Sequence, residues 1–89
     1  MQTRRKGLSI FKDPNLTIAK LYDTNIVTIN YGDNTITLDD SGWLTRHTKN
    51  CMNDILKPFG IYVYQHNKVW FIVTPYKVDE YSKGMKLLF

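Results

Sequence analysis

The segment from Gly42 to Lys49 carries the residue types that most readily suggest chemistry. It combines an indole at Trp43 with a hydroxyl at Thr45 and cationic side chains at Arg46 and Lys49. Free N–H groups at a helix N-terminus attract anions, so these residues beside a helix start would suit a phosphate or a nucleotide. Ordinary structure explains the same residues, with Trp43 packed in the core and Thr45 capping the helix. The sequence favours the structural interpretation and leaves the binding one open.

Aromatic side chains further along the chain indicate a second candidate surface. Tyr62 and Tyr64 alternate along one predicted strand, so both rings lie on one face, and Trp70 lies on the next strand. Rings near the cations Arg46 and Lys49, with Lys68 in the following turn, are typical of proteins that bind single-stranded nucleic acid. The same rings would also suit the second face of a sheet or an interface with another protein, where aromatic residues are enriched. Packing or an interface is favoured, and we expect the two tyrosines and the two cations to contact a partner.

Catalytic and metal-binding patterns are weak in this sequence. His47 and Cys51 lie four residues apart on a predicted helix, but zinc sites use three or four protein ligands. Asp39 and Asp40 are adjacent, so on an extended chain their carboxylates point to opposite sides. The sequence has no nucleophile elbow, P-loop, zinc-protease motif or glycine-rich dinucleotide loop. We therefore expect a protein that is not an enzyme, with no catalytic residues, no metal and no cofactor.

The elements that position these residues follow from the spacing of apolar side chains. Period-two alternation predicts strands, and apolar residues at i, i+7 and i+8 predict a helix. Strands are predicted at 16–22, 25–31, 35–38, 61–65, 69–74 and 85–89, and a helix at 45–57. The expected fold class is α+β: a small antiparallel sheet of about five to six strands in the order β-β-β-α-β-β-β, with one helix packed on one face.

Positive charge is concentrated at the start of the chain. The net charge is +4, and the basic residues of the first twelve positions account for it. These residues are Arg4, Arg5, Lys6 and Lys12. We expect residues 1–12 to form a basic, flexible N-terminal arm and residues 13–89 to form a single α+β domain. Such an arm can add salt-dependent affinity for phosphates, although solvated ends of this kind are common.

The 89-residue chain has one cysteine and no apolar run long enough to cross a membrane. A single unpaired cysteine, Cys51, fits a reducing compartment, and the basic N-terminus is not followed by the apolar region of a signal peptide. We therefore expect a cytosolic protein with no membrane partner. Because so short a chain buries a small core, we also consider a homodimer.

Short motifs along the body of the chain resemble one phage family. They are Ile36-Thr37-Leu38, Gly42-Trp43, Thr45, Thr48-Lys49, Met52-Asn53, Val63-Tyr64-Gln65, Trp70-Phe71, Gly84-Met85 and Leu87. In this order and spacing they resemble a family of small hypothetical proteins of tailed phages, whose chains share a GGW-x-T-x-T-T-K-x-x-M-N segment. The chain departs from that pattern at Ser41, Leu44, Cys51 and Asp54. The resemblance implies a phage source, and the departures at Leu44 and Cys51 replace two arginines of the family, which weakens polyanion binding.

Two functions follow as expectations. The first is a small non-enzymatic phage protein in the host cytoplasm that binds a host factor as an inhibitor or adaptor, in host takeover or against a defence system. An exposed apolar patch with a polar rim is all that such a role requires. The alternative is a protein that binds nucleic acid or a small nucleotide through the segment from Trp43 to Lys49 and the aromatic residues of the sheet. Nucleic-acid affinity that falls steeply with salt would distinguish the alternative from the first.

Overall fold

The computed structural model describes residues 5–40, 42 and 45–89, and it places them in two antiparallel sheets and one helix. The strands are β1 (Leu8–Asp13), β2 (Leu16–Leu21), β3 (Thr24–Asn30), β4 (Thr35–Leu38), β5 (Tyr62–His66), β6 (Val69–Val73), β7 (Val78–Glu80) and β8 (Lys86–Leu88). The helix α1 spans Arg46–Leu56 and continues into a 3-10 turn at Lys57–Phe59. The predicted α+β class is confirmed.

The strands divide into two sheets, where the sequence predicted one. The first sheet has the order β1-β2-β3-β4-β8, and the second has the order β5-β6-β7. The C-terminal strand β8 pairs with β4, with Ile36 opposite Leu87, so it does not extend the β5–β6 hairpin. Two strands were also missed: β1, which was assigned to the arm, and the three-residue β7, which was taken as irregular chain. Both lie at the edge of a sheet, where a strand is hydrogen-bonded to one neighbouring strand.

Strand β1 corrects the predicted extent of the N-terminal arm. Residues 8–12 pair along their length with β2, and Leu8 lies opposite Leu21 in the core. Immediately before the strand, Gly7 has a φ of +78°, and a Cβ there would lie 2.4 Å from a carbon of the Tyr22 ring. Only glycine combines this backbone conformation with so close a contact. The chain is therefore part of the sheet from Leu8 onward, and residues 1–4 lie outside the described residues.

Helix α1 covers the inner faces of both sheets. It contacts β2 and β3 of the first sheet and β5 of the second, and its buried side chains are Thr48, Cys51, Met52 and Leu56. These side chains belong to one hydrophobic cluster with the buried residues of both sheets. Thr45 caps the helix by accepting a hydrogen bond from the Thr48 N–H (3.2 Å). No helix in the described ranges is long and apolar enough to cross a membrane.

The free edge of β5 is closed by a side chain from the helix. The Asn53 amide accepts a hydrogen bond from the Val63 N–H (2.6 Å) and donates one to the Val63 carbonyl (3.0 Å). A side-chain amide thereby takes the place of a neighbouring strand. This pair of bonds fixes the second sheet to α1 and prevents further strands from adding at that edge.

Replacing Asn53 by alanine should destabilise the fold by about 1–3 kcal/mol, because both main-chain groups of Val63 lose their partner. The free energy of unfolding in urea measures the effect. Asn50→Ala, one turn earlier on the same helix, is the control, since alanine there should be neutral or slightly stabilising. Equal stability of the two variants would contradict the role assigned to Asn53.

Candidate binding surface

The second sheet has one face that no other element of the described residues covers. Alternation along its strands sends Val63, Trp70 and Ile72 into the core and the intervening residues outward. We call the outward set the aromatic face. Its members are Tyr62, Tyr64 and His66 from β5, Val69, Phe71 and Val73 from β6, and Val78 and Glu80 from β7. The ladder places Tyr64 directly opposite Phe71 and Tyr62 opposite Val73.

The centre of the aromatic face is a group of three rings. Tyr64 and Phe71 are stacked, with centroids 5.4 Å apart and planes 22° apart. Tyr62 lies beside Tyr64 at a centroid distance of 6.2 Å. Tyr62 is 50% exposed and Tyr64 is 37% exposed. The rings hold one another in place and still present a continuous apolar surface, so little side-chain freedom would be lost on binding.

The aromatic face carries little charge. Among its members, Glu80 of β7 is the one acidic residue and none is a lysine or an arginine, since the structure describes all three strands in full. At the adjacent turn, Lys77 forms an ion pair with Asp79 (3.1 Å). An apolar centre with charges at its edge is the arrangement of protein interfaces. Surfaces that bind single-stranded nucleic acid instead combine aromatic rings with a basic groove.

The outer face of the first sheet differs in chemistry. Its central pair is Thr28 opposite Thr37, and Thr35 lies opposite Asn30. These short polar side chains are half-buried by their neighbours and can be left in water at little cost. The exposed apolar side chains of this face, Phe11 and Leu88, lie apart on its two edge strands. On the aromatic face the rings are adjacent, which makes it the better candidate surface.

The four residues expected to contact a partner do not lie together. Tyr62 and Tyr64 belong to the aromatic face, whereas Lys49 lies on the opposite, inner side of β5. Its ammonium donates to Gln65 Oε1 (3.3 Å) and lies 5.7 Å from the centre of the Trp70 ring. Arg46 is exposed three residues earlier on α1, on the same side of the helix as Lys49.

The sequence did not single out Phe71 as part of a surface. Phe71 lies between Trp70 and Ile72 in a continuous apolar run, which does not show which side chains point outward. The signal that could have found it is the hairpin turn at Asn67 and Lys68, both with positive φ. A two-residue turn fixes the register, and that register puts Phe71 opposite Tyr64.

Part of the segment predicted to bind a phosphate or a nucleotide, Trp43 to Lys49, has a structural role. Thr45 is engaged as the helix cap, and its hydroxyl also lies 3.1 Å from that of Thr48. A cavity of about 340 Å³ lies between the β2–β3 turn and the start of α1, lined in part by Tyr22, Asp40 and Thr48. Trp43 lies outside the described residues.

The two pairs considered for metal binding or catalysis have structural partners. The His47 Nε2–H donates to the Lys6 carbonyl (2.7 Å), and its distance to Cys51 Sγ is 3.9 Å. Burial raises the pKa of the Cys51 thiol. Among the described residues, no group of three or more His, Cys, Asp or Glu side chains is placed to hold a metal ion.

Asp40 forms a buried hydrogen-bonded pair that the sequence did not predict. It is 5% exposed and accepts hydrogen bonds from the Tyr81 hydroxyl (2.8 Å) and the Gly42 N–H (2.6 Å). Burial first, and then the bond to Asp40, raise the pKa of Tyr81. The ring of Tyr81 packs against Trp70 at 5.5 Å. This pair joins the segment after β4 to the second sheet, from the side opposite the aromatic face.

The basic residues of the arm are spread over the body of the protein. The Arg5 side chain forms an ion pair with Asp54 of α1 (2.7 Å), which fixes it along the helix. Lys6 contributes its carbonyl to His47, and Lys12 lies on β1. Arg4 lies outside the described residues.

The chain matches a family model over residues 6–88, and that family is described as Kyanoviridae Gp96 protein. Because the match covers nearly the whole chain, the protein belongs to this phage family. The predicted phage origin is thereby confirmed. No curated protein and no solved structure matches the chain.

Replacing Tyr81 by phenylalanine should lower the free energy of unfolding by about 1–3 kcal/mol at neutral pH, because the buried Asp40 carboxylate loses a donor. Tyr76→Phe is the control, since that ring is almost fully exposed.

The difference between wild type and Tyr81→Phe should also depend on pH. A raised pKa means that the folded state holds the Tyr81 proton more tightly than the unfolded state does. The stabilisation is therefore complete below the unfolded tyrosine pKa of about 10 and decreases as the pH rises above it. Urea unfolding at neutral and alkaline pH measures this, and a difference that grows above about pH 10 would contradict the assignment.

Proposed function

We propose that this phage protein is a non-enzymatic binding module that occupies a host protein through its aromatic face. The observation that carries the proposal is a group of three rings, the exposed Tyr62 and Tyr64 and the half-buried Phe71, on a sheet face that the described residues leave uncovered. Tyrosine is among the residues that contribute most to binding energy at protein interfaces. The hydroxyls at the edge of the rings supply hydrogen bonds, and the rings supply apolar area.

The chemistry of the face favours a protein partner over a nucleic acid. Three lysines lie near this face: Lys77 is paired with Asp79, Lys49 lies against Trp70 on the inner side of the sheet, and Lys68 is exposed at the β5–β6 turn, so the described residues form no basic groove along the rings. A phosphate backbone would meet Glu80 and no free cation on the aromatic face itself. A partner with an apolar centre, bordered by polar groups that match the tyrosine hydroxyls, fits this surface.

The membership of a phage family supports a partner from the host. Such a protein is made in the host cell during infection, and a binding module needs no cofactor to act by occupying a surface. Among the described residues, the buried pair of Asp40 and Tyr81 is hydrogen-bonded within the fold, which supports a role other than catalysis. We place this activity in the host cytoplasm, as inhibition or adaptation of a host factor.

The test is capture from host lysate with a bait in which only the aromatic face is changed. Tyr64→Ser combined with Phe71→Ser removes the stacked pair, and we expect it to lose at least about ten-fold of the captured host protein, since interface aromatics contribute 2 kcal/mol or more. Leu88→Ser is the matched control, because Leu88 is an exposed apolar residue on the other sheet. Circular dichroism establishes that both variants are folded.

Nuclease treatment of the lysate distinguishes the proposed binding of a host protein from the alternative, binding of nucleic acid. A single host protein that survives nuclease, is retained by Leu88→Ser and is lost with the double variant would support the proposal. Nuclease-sensitive capture, or capture that the double variant leaves unchanged, would overturn it. Nuclease-sensitive capture would instead favour the nucleic-acid alternative.

A further inference from the structure

Strand β1 is the long open edge of the first sheet. It has six residues and one neighbour, β2. The Tyr22 N–H donates to the Gly7 carbonyl (2.8 Å), so Gly7 and Tyr22 form a hydrogen-bonded pair of the β1–β2 ladder. Hydrogen-bonded pairs recur at every second residue of an antiparallel ladder. The N–H and C=O groups of Ile10 and Lys12 therefore point away from β2, toward the open edge.

The other sheet edges are shorter or closed. Strands β7 and β8 have three residues each. The free edge of β5 is occupied by the Asn53 side chain, which bonds both main-chain groups of Val63. Of the four edges formed by the described strands, β1 alone offers a run of main-chain donors and acceptors long enough to pair with another strand.

Phe11 gives this edge an apolar side chain to bury. It lies on the outer face of β1, opposite Ile18 of β2, and is 56% exposed. No element of the described chain covers its ring on the side away from β2. A large exposed ring on an open strand edge is the combination that promotes pairing between sheets.

We infer that two copies of this chain pair through β1 in an antiparallel, two-fold symmetric arrangement with Phe11 on the axis. In this register Phe11 faces Phe11 of the second copy, and Ile10 exchanges two hydrogen bonds with Lys12 of the second copy. Symmetry repeats that exchange, so four main-chain bonds form and the two five-stranded sheets become one.

Side-chain chemistry selects this register among those that the ladder allows. When the axis passes through Phe11, the outward N–H and C=O groups of Ile10 lie opposite those of Lys12 of the second copy. The two Phe11 rings then form an aromatic pair across the strands, which is favourable. Ser9 then lies opposite Asp13 of the second copy, where its hydroxyl can donate to the carboxylate. The Lys12 stem lies over Ile10 of the second copy, and its ammonium reaches water. Placing the axis at Ser9 would leave each Phe11 without an aromatic partner.

The dimer is independent of the proposed host interaction. The aromatic face belongs to the other sheet, so β1 pairing leaves it accessible. Loss of dimerisation would not by itself abolish capture of a host protein, and loss of the aromatic face would not change the mass of the dimer.

Sedimentation equilibrium on the full chain over a concentration series tests the dimer. Wild type should approach twice the chain mass of 10.5 kDa. Lys12→Pro removes an outward N–H and leaves the bonds to β2 intact, so it should sediment as a monomer. Lys12→Ala loses the same side chain but keeps the N–H, and it should remain dimeric. Wild type that is monomeric up to about 1 mM would overturn the proposal, as would a Lys12→Pro variant that remains a dimer.

Cysteine cross-linking tests the register without relying on the proline variant. Residues opposite each other in a non-hydrogen-bonded pair have Cα atoms about 4.5 Å apart, within the range of a disulfide. Ser9 and Asp13 of the second copy form such a pair, so the double variant Ser9→Cys with Asp13→Cys, which keeps Phe11, should cross-link between copies under mild oxidation. Ser9→Cys is the control, because each Ser9 lies more than about 13 Å from its copy. Wild type should not cross-link, since Cys51 is buried. Absence of the cross-link from the double variant, or an equally fast one from Ser9→Cys alone, would overturn the proposed pairing.

Discussion

One helix has to cover two sheets, and the remaining structure depends on this constraint. The buried side of α1, with Met52 and Leu56 at its centre, packs against β2 and β3 of the first sheet and against β5 of the second. Asn53 adds a directed contact by bonding the main chain of Val63. Since the helix occupies the inner side of both sheets, each sheet must leave its outer side to solvent or to a partner.

The outer sides of the two sheets carry different side chains. On the first sheet, Thr28 and Thr37 form a polar centre, and the exposed apolar side chains Phe11 and Leu88 lie at the two edges. On the second sheet, the outer positions hold the stacked rings of Tyr64 and Phe71. The Tyr64 ring is exposed and the Phe71 ring is half-buried, and this exposed apolar surface is the basis of the proposed binding role. The buried bond between Tyr81 and Asp40 holds the second sheet from its inner side, so the exposed rings are presented on a fixed support.

Local sequence patterns predicted the elements whose signals are local. The β3–β4 and β5–β6 hairpins and helix α1 follow from turn residues and apolar periodicity, and alternation correctly placed Tyr62 and Tyr64 on one face. Long-range pairing could not be predicted. The division into two sheets depends on β8 returning to β4, and the Tyr81–Asp40 bond joins residues 41 positions apart. The expected grouping of Lys49 with the tyrosines did not hold because α1 packs on the inner side of β5.

The most direct test of the central claim is site-specific photo-cross-linking during infection. A photoreactive phenylalanine analogue at position 64 samples whatever contacts the aromatic face in the cell, and the same analogue at position 88 samples an exposed site on the other sheet. We expect one host protein to be cross-linked from position 64 and not from position 88. Cross-links to the same proteins from both positions, or none from position 64, would contradict the claim that the aromatic face binds a host protein.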